Sequence, residues 1–146
     1  MGSTIVLGYD GSACANAALT AAVESAKAHG DGIVVAFGAG AHAVGEDSDQ
    51  RNLAHTMGRD WAEEAISAIR AQGVEDARAV VVDARPAEAL LQVARERNAR
   101  MIVVGTHGEH PLTGAVLGSV PHKLLHLSRV PVLVVPVGAV TRRTAA

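Results

Sequence analysis

Between Gly105 and Val120 the chain reads GTHGEHPLTGAVLGSV, and the spacing of its glycines is the most chemically suggestive feature of the sequence. Gly105 and Gly108 are separated by two residues, Gly108 and Gly118 by nine, and Ser119 follows at once. Glycine is costly inside regular structure, so a group of them marks unusual backbone angles or a close approach. An apolar run ends at Gly105, where a missing side chain would let a ligand lie against the backbone. Gly108 would turn the chain away, and Gly118-Ser119 stand at the start of a helix-length segment. The first N–H groups of a helix lack internal partners and its dipole favours negative charge there, so this is an anion site in outline, with phosphate the usual occupant. Ser119 is the expected N-cap. The plainer alternative is that the glycines shape a crossover and Ser119 only caps a helix.

Two other phosphate motifs fail. Gly118-Ser119 has no lysine between its members, as a Walker loop requires. Gly38-Ala39-Gly40-Ala41-His42-Ala43 has dinucleotide-fingerprint spacing but runs into Val44-Gly45-Glu46-Asp47 instead of opening a helix.

Other candidates are less distinctive. Asp10, in Tyr9-Asp10-Gly11-Ser12, suits either a ligand contact or a turn or cap before the next helix. Arg85 reads as a solvated loop residue. Among seven histidines, His122 and His126 share a helix face, and His107 and His110 share the glycine loop with Glu109. Zinc needs three or four convergent ligands, so surface histidines are the better reading. Cys14 reads as an inert packed thiol, and no Gly-x-Ser-x-Gly elbow supports a hydrolase triad.

The elements that must position these residues are legible from apolar runs. Four are short and rich in β-branched residues: Thr4 to Tyr9, Ile33 to Phe37, Ala79 to Val82, and Met101 to Val104; a fifth, Val130 to Val137, carries Pro131 and Pro136. They are nearly continuous, as in strands covered on both faces. Helix-length segments lie between them: Ala13 to His29, about Arg51 to Gln72, Pro86 to Arg97, and Ser119 to Leu127. Gly30 and Gly73 sit where helix C-terminal glycines belong, and Pro86 where an early-helix proline belongs. Strand and helix alternate throughout, predicting an α/β fold: a parallel sheet with helices on both faces and right-handed crossovers. Ligands of such sheets bind outside the strands' C-terminal ends, where strand order reverses. The polar stretch Gly38 to Gln50 reads as a flexible loop, a potential lid.

Composition sets limits. The chain of 146 residues is expected to form a single domain, with a core over about 4–137 and a flexible tail at 138–146. It is 49% apolar and 19% charged, a packed globule and not a disordered chain. Aromatics are only 2%, which leaves no expected platform for stacking bases. A net charge of −2 with scattered basic residues excludes a nucleic-acid-binding face. One cysteine excludes a disulfide framework, and neither a signal peptide nor an apolar span of roughly 18 residues is present, so a cytoplasmic location without membrane contact is expected.

Taken together, Ile5-Val6-Leu7-Gly8-Tyr9-Asp10-Gly11-Ser12, the Gly105-x2-Gly108-x9-Gly118-Ser119 spacing and the Val130-Pro131-Val132-Leu133-Val134-Val135 strand resemble the universal stress protein family. The resemblance runs from Ile5 to Val137 and keeps the order of the elements. It implies a doubly wound five-stranded sheet in order 3-2-1-4-5, a three-layer α/β/α sandwich like that of adenine nucleotide alpha hydrolases. It implies a stress-response regulator or sensor binding ATP or another adenine nucleotide (ADP, AMP or cyclic AMP), with or without Mg2+, and at most slow ATP hydrolysis. Carried over by position, Asp10, beside Tyr9, would lie near the adenine or ribose, and Gly38 would meet the adenine edge through its backbone. Val104 and Gly105 would line the adenosine; Gly108, Gly118, Ser119 and Val120 would hold phosphates. Pro121 departs from the pattern: many members carry a hydroxyl residue there, and proline removes both that group and an N–H. A homodimer through the fifth strand is also implied, which would bury an apolar edge that Pro131 and Pro136 otherwise blunt.

Overall fold

The computed structural model describes residues 2–39, 48–107 and 117–138. Five strands, β1 (Thr4–Gly8), β2 (Gly32–Gly38), β3 (Ala77–Val82), β4 (Met101–Gly105) and β5 (Val132–Val135), alternate with four helices, α1 (Ala13–His29), α2 (Ser48–Ala71), α3 (Pro86–Glu96) and α4 (Ser119–Leu127). The sheet is parallel in order β3-β2-β1-β4-β5. Boundaries differ modestly from expectation: α2 starts earlier, β3 gains Ala77 and Arg78, and the fifth strand is confined to Val132–Val135 between its flanking prolines. Proline donates no ladder hydrogen bond, which is why the edge strand shortens there.

Alternation within the strands splits the core into two layers. Ile5, Leu7, Ile33, Val35, Phe37 and Val103 face α1 and α2, packing on Ala18, Leu19, Ala22, Val23, Ala65 and Ile69. Val6, Val34, Ala36, Ile102 and Val104 face α3 and α4, packing on Leu90, Val93, Ala94 and Leu124. Because each strand is apolar on both sides, the runs read as continuous.

Local signals start and stop the helices as their chemistry requires. Ser12 caps α1 by accepting from the Ala15 N–H at 3.1 Å, and Gly30 closes it in the left-handed region at φ 72°. Pro86 occupies the first turn of α3, where its missing N–H is harmless. Beneath the sheet, Asp31, which is buried, ties three strand starts together. Its carboxylate accepts from Arg100 Nε at 2.6 Å and Nη2 at 3.3 Å, and from the Ser3 N–H at 2.7 Å. The Arg100 guanidinium, foremost, holds the Asp31 carboxyl below its ordinary range.

The chain leaves β1 into α1 on one face and β4 into α4 on the other. Adjacent strands whose helices diverge leave a crevice above their C-terminal ends.

Candidate functional site

That crevice exists as a cleft of about 280 Å³. One wall comes from the β1–α1 connection, with Gly8, Tyr9 and Asp10; a second comes from Ala36, Phe37 and Gly38 at the end of β2. Val104, Gly105 and His107 form the floor near β4, and Gly118, Ser119, Val120 and Pro121 close the far end. Eight of the nine residues singled out from sequence therefore share one cavity: Tyr9, Asp10, Gly38, Val104, Gly105, Gly118, Ser119 and Val120. Gly108 lies outside the described residues, as do His110, residues 40–47 of the expected Gly38 to Gln50 loop (Gly38 ends β2 and Ser48 to Gln50 open α2) and residues 139–146 of the expected tail.

Helix α4 has the expected bounds, but its cap differs from expectation. Gly118, not Ser119, is the N-cap, with φ −61° and ψ 164°, and no side chain caps the helix. Ser119 is the first helical residue, exposed at the cleft edge. The Gly118 N–H donates to the Thr106 carbonyl at 2.7 Å, pinning the helix start against the end of β4. The His122 N–H begins the helical ladder by donating to the Gly118 carbonyl at 3.1 Å. Ser119 and Val120 sit between them, where a helix offers their N–H groups no internal acceptor.

The glycines also have a different cause from the one expected. A Cβ on Gly105 would lie 2.5 Å from Cys14 Cβ and 2.8 Å from the Cys14 carbonyl carbon. Helix α1, not a ligand, occupies the space that a side chain would fill. A Cβ on Gly38 would meet the Ala84 oxygen and Pro86 nitrogen at 2.6 Å, and one on Gly118 would approach His107 Cα at 3.0 Å. Each glycine marks a place where the protein's own backbone crosses closely. Those crossings bring the β1, β2, β4 and α4 ends within one ligand's reach.

Asp10 is a turn residue: one carboxylate oxygen accepts the Ser12 N–H at 3.0 Å, while Ser12 serves as the cap. Tyr9 is buried, and its hydroxyl donates to Asn16 Oδ1 at 3.0 Å. Burial first, and then the nearby Glu64 carboxylate, push its phenol up to about 12. The His107 ring lies 3.1 Å from Thr106 Oγ1 and 3.5 Å from Cys14 Sγ, so it is engaged by the protein while forming part of the cleft. Cys14 itself is buried, as a packed thiol should be. Arg85 is exposed and outside the cleft lining. His122 and His126 stack edge-on at 4.7 Å, and the described residues contain no group of three or more metal-binding side chains.

The sequence reading missed an aromatic wall. Phe37 and Trp61 both line the cleft, stacked with centroids 6.5 Å apart, and Trp61 also lies against the Asp10-Gly11 turn. Low aromatic content argued against such a platform, yet all three aromatic residues of the chain line this one cavity. Phe37, next to Gly38 at a strand end, was the available signal; nothing local in α2 points to Trp61.

The universal stress protein family profile matches residues 1–136. The chain belongs to the universal stress protein family. A universal stress protein of Thermus aquaticus is 35% identical over 137 residues, covering 92% of this chain and 99% of that protein. One of Mycobacterium tuberculosis is 51% identical over 55 residues, which are 38% of this chain and only 18% of that relative's length. A family member crystallised in complex with cAMP superposes with a TM-score of 0.75 at 26% identity, covering 94% of this chain and 99% of its own. The observed strand order is the one the family resemblance implied. No helix among the described residues is long and apolar enough to cross a membrane.

Proposed function

We propose that this universal stress protein binds an adenine nucleotide in the cleft above β1, β2 and β4 and acts as a cytoplasmic stress-response regulator or sensor. The observation that carries the reading is the cleft's polarity. One end offers main-chain amides at the start of α4 with no acceptor among the described residues; the other offers apolar and aromatic surface beside a carboxylate. A nucleotide has the matching polarity, with an anionic tail and a flat, hydrogen-bonding base. The family member bound to cAMP lends support. In this reading the base lies near Phe37, Trp61 and the Gly38 backbone, with Asp10 and neighbouring Tyr9 by the ribose. Val104 and Gly105 flank the adenosine. Ser119 and Val120 donate to phosphate, Gly118 shapes the approach, and Gly108 is carried over from the family pattern as a further phosphate contact. ATP, with or without Mg2+, is among the candidate ligands.

A binding role accords with the site better than fast catalysis. Asp10 is the only carboxylate among the described lining residues, too few for a paired metal cradle. A slow ATP hydrolase on the same fold and a dimeric interaction module with a vestigial pocket are the alternatives.

The test uses Trp61, the only tryptophan. Titration with adenine nucleotides should change its emission saturably, with calorimetry giving the same affinity. No saturable change and no heat with AMP, cyclic AMP, ADP or ATP would refute the reading.

We also propose a homodimer through β5. Leu133 is 42% exposed on this edge strand, and Leu125 and Leu127 on adjacent α4 are more than half exposed. Light scattering at micromolar concentration should give twice the chain mass; a monomer would refute this.

A further inference from the structure

An α-helix begins with four N–H groups that have no partner inside it. In α4 these belong to Gly118, Ser119, Val120 and position 121. The Gly118 N–H is taken by the Thr106 carbonyl, and Pro121 has none. Two donors remain, those of Ser119 and Val120, side by side at the cleft end. Pro121 is buried and forms part of the same wall, so the position that would have extended the donor row presents a ring instead.

Charge points the same way. No lysine or arginine occurs anywhere between Gly105 and Val120, and His107 is the only basic side chain among the described lining residues. Asp10 adds a negative charge at the opposite end. Among the described residues, a triphosphate would bring about four negative charges to the two free amides of α4 and a helix dipole worth about half a unit charge. Mg2+ would reduce that charge, but the described residues contain no cluster of three side chains able to hold it. A single phosphate group, by contrast, presents two or three terminal oxygens to the two amides.

We infer that the cleft is matched to an adenine nucleotide bearing one phosphate group, monoester or cyclic diester, and that Pro121 is the residue that sets this limit. The inference rests on the reading of the cleft as an adenine-nucleotide site. Proline acts here by subtraction: it preserves the helix start while removing the donor that would meet a second phosphate.

Calorimetry with adenosine, AMP, cyclic AMP, ADP and ATP, each with and without Mg2+, on the wild-type chain, Pro121→Ser and Pro121→Ala tests it. In the wild type AMP or cyclic AMP should bind at least about tenfold more tightly than adenosine, from two charge-assisted hydrogen bonds, and ATP no more tightly than AMP. Both variants restore an N–H, so each should improve ATP relative to AMP by about tenfold, with serine the larger gain. ATP binding tenfold more tightly than AMP in the wild type, or an ATP-to-AMP ratio unchanged in both variants, would overturn the inference while leaving the cleft's reading intact. Failure of adenosine and every nucleotide to bind would overturn both. Thermal melts of the variants establish that they are folded, and alanine serves should serine perturb the packing.

Discussion

Ser119→Asp separates a phosphate site from a structural helix cap more sharply than any other single change. Ser119 is exposed at the first position of α4 and its side chain caps nothing, so replacing it removes no internal hydrogen bond. A carboxylate there would lie roughly 6 Å from a phosphate held by the adjacent amides. At that separation a pair of unit charges repels by about 2.8 kcal/mol at an effective dielectric of about 20, and by about 0.7 kcal/mol in bulk water. Because the site is open to solvent on one side, a value near 1.5 kcal/mol is expected, roughly a tenfold loss of affinity. The helix responds in the opposite direction, since an acidic group in the first turn stabilises it by about 0.3–1 kcal/mol. Calorimetric titration with AMP and a thermal melt read the two effects separately. Adenosine, which carries no phosphate, should bind the variant as it binds the wild type. Glu24→Ala, an exposed change on α1, should alter neither quantity. Unchanged AMP affinity in Ser119→Asp would show that no phosphate rests on α4, and a marked fall in melting temperature would show that Ser119 is structural after all.

Gly105→Ala should destabilise the fold by about 1–3 kcal/mol in urea unfolding, and adding Cys14→Ala should not rescue it, because the clash is with Cys14 Cβ and its carbonyl carbon, which alanine retains. Asp31→Asn should cost about 1–3 kcal/mol at neutral pH; the native carboxyl is held below its ordinary value of 3.8, so its contribution is full above that pH and is lost as pH falls through the lowered native value, where variant and wild type should converge. Tyr9, the only tyrosine, should ionise near pH 12 in the native protein, against an ordinary value of 10.0. Its raised value contributes stability that is complete below pH 10.0 and disappears as pH climbs through about 12, so Tyr9→Phe should remove that part of the alkaline instability.

The fold was legible because its strands and helix ends are written in local chemistry. Ile33 to Phe37 and Met101 to Val104 are apolar on both faces, and Gly30 adopts the left-handed backbone that its position at a helix end suggested. Strand order is not local, since nothing within one segment states which neighbour it pairs with; here it came from the family resemblance. The bounds of α4 match the expected Ser119 to Leu127, but its cap falls on Gly118 instead of Ser119, for a related reason. Serine is the better capping residue, but the Thr106 carbonyl, far from Gly118 in the chain's local pattern, captures the Gly118 N–H and sets where the helix begins. Trp61 was illegible altogether, because α2 reaches the cleft only through the packing of Ala62, Ala65 and Ile69 on the sheet.

The glycine signature therefore has a more demanding physical meaning than a ligand footprint. Gly38 and Gly105 would each drive a Cβ into the protein's own atoms, and a Cβ on Gly118 would press on the His107 backbone, so substituting any of them strains the scaffold before it touches a ligand. Loss of binding in such a variant would not distinguish a destroyed site from a distorted fold. The informative positions lie at the mouth of α4: Ser119, whose side chain caps nothing, and Pro121, whose ring takes away a donor without breaking the helix. The glycines assemble four chain ends into one cavity, and the residues at the mouth of α4 then decide how much negative charge that cavity can hold. Fold and specificity are thus written in adjacent residues but in different chemistry, close packing in the one case and the number of unpaired amides in the other.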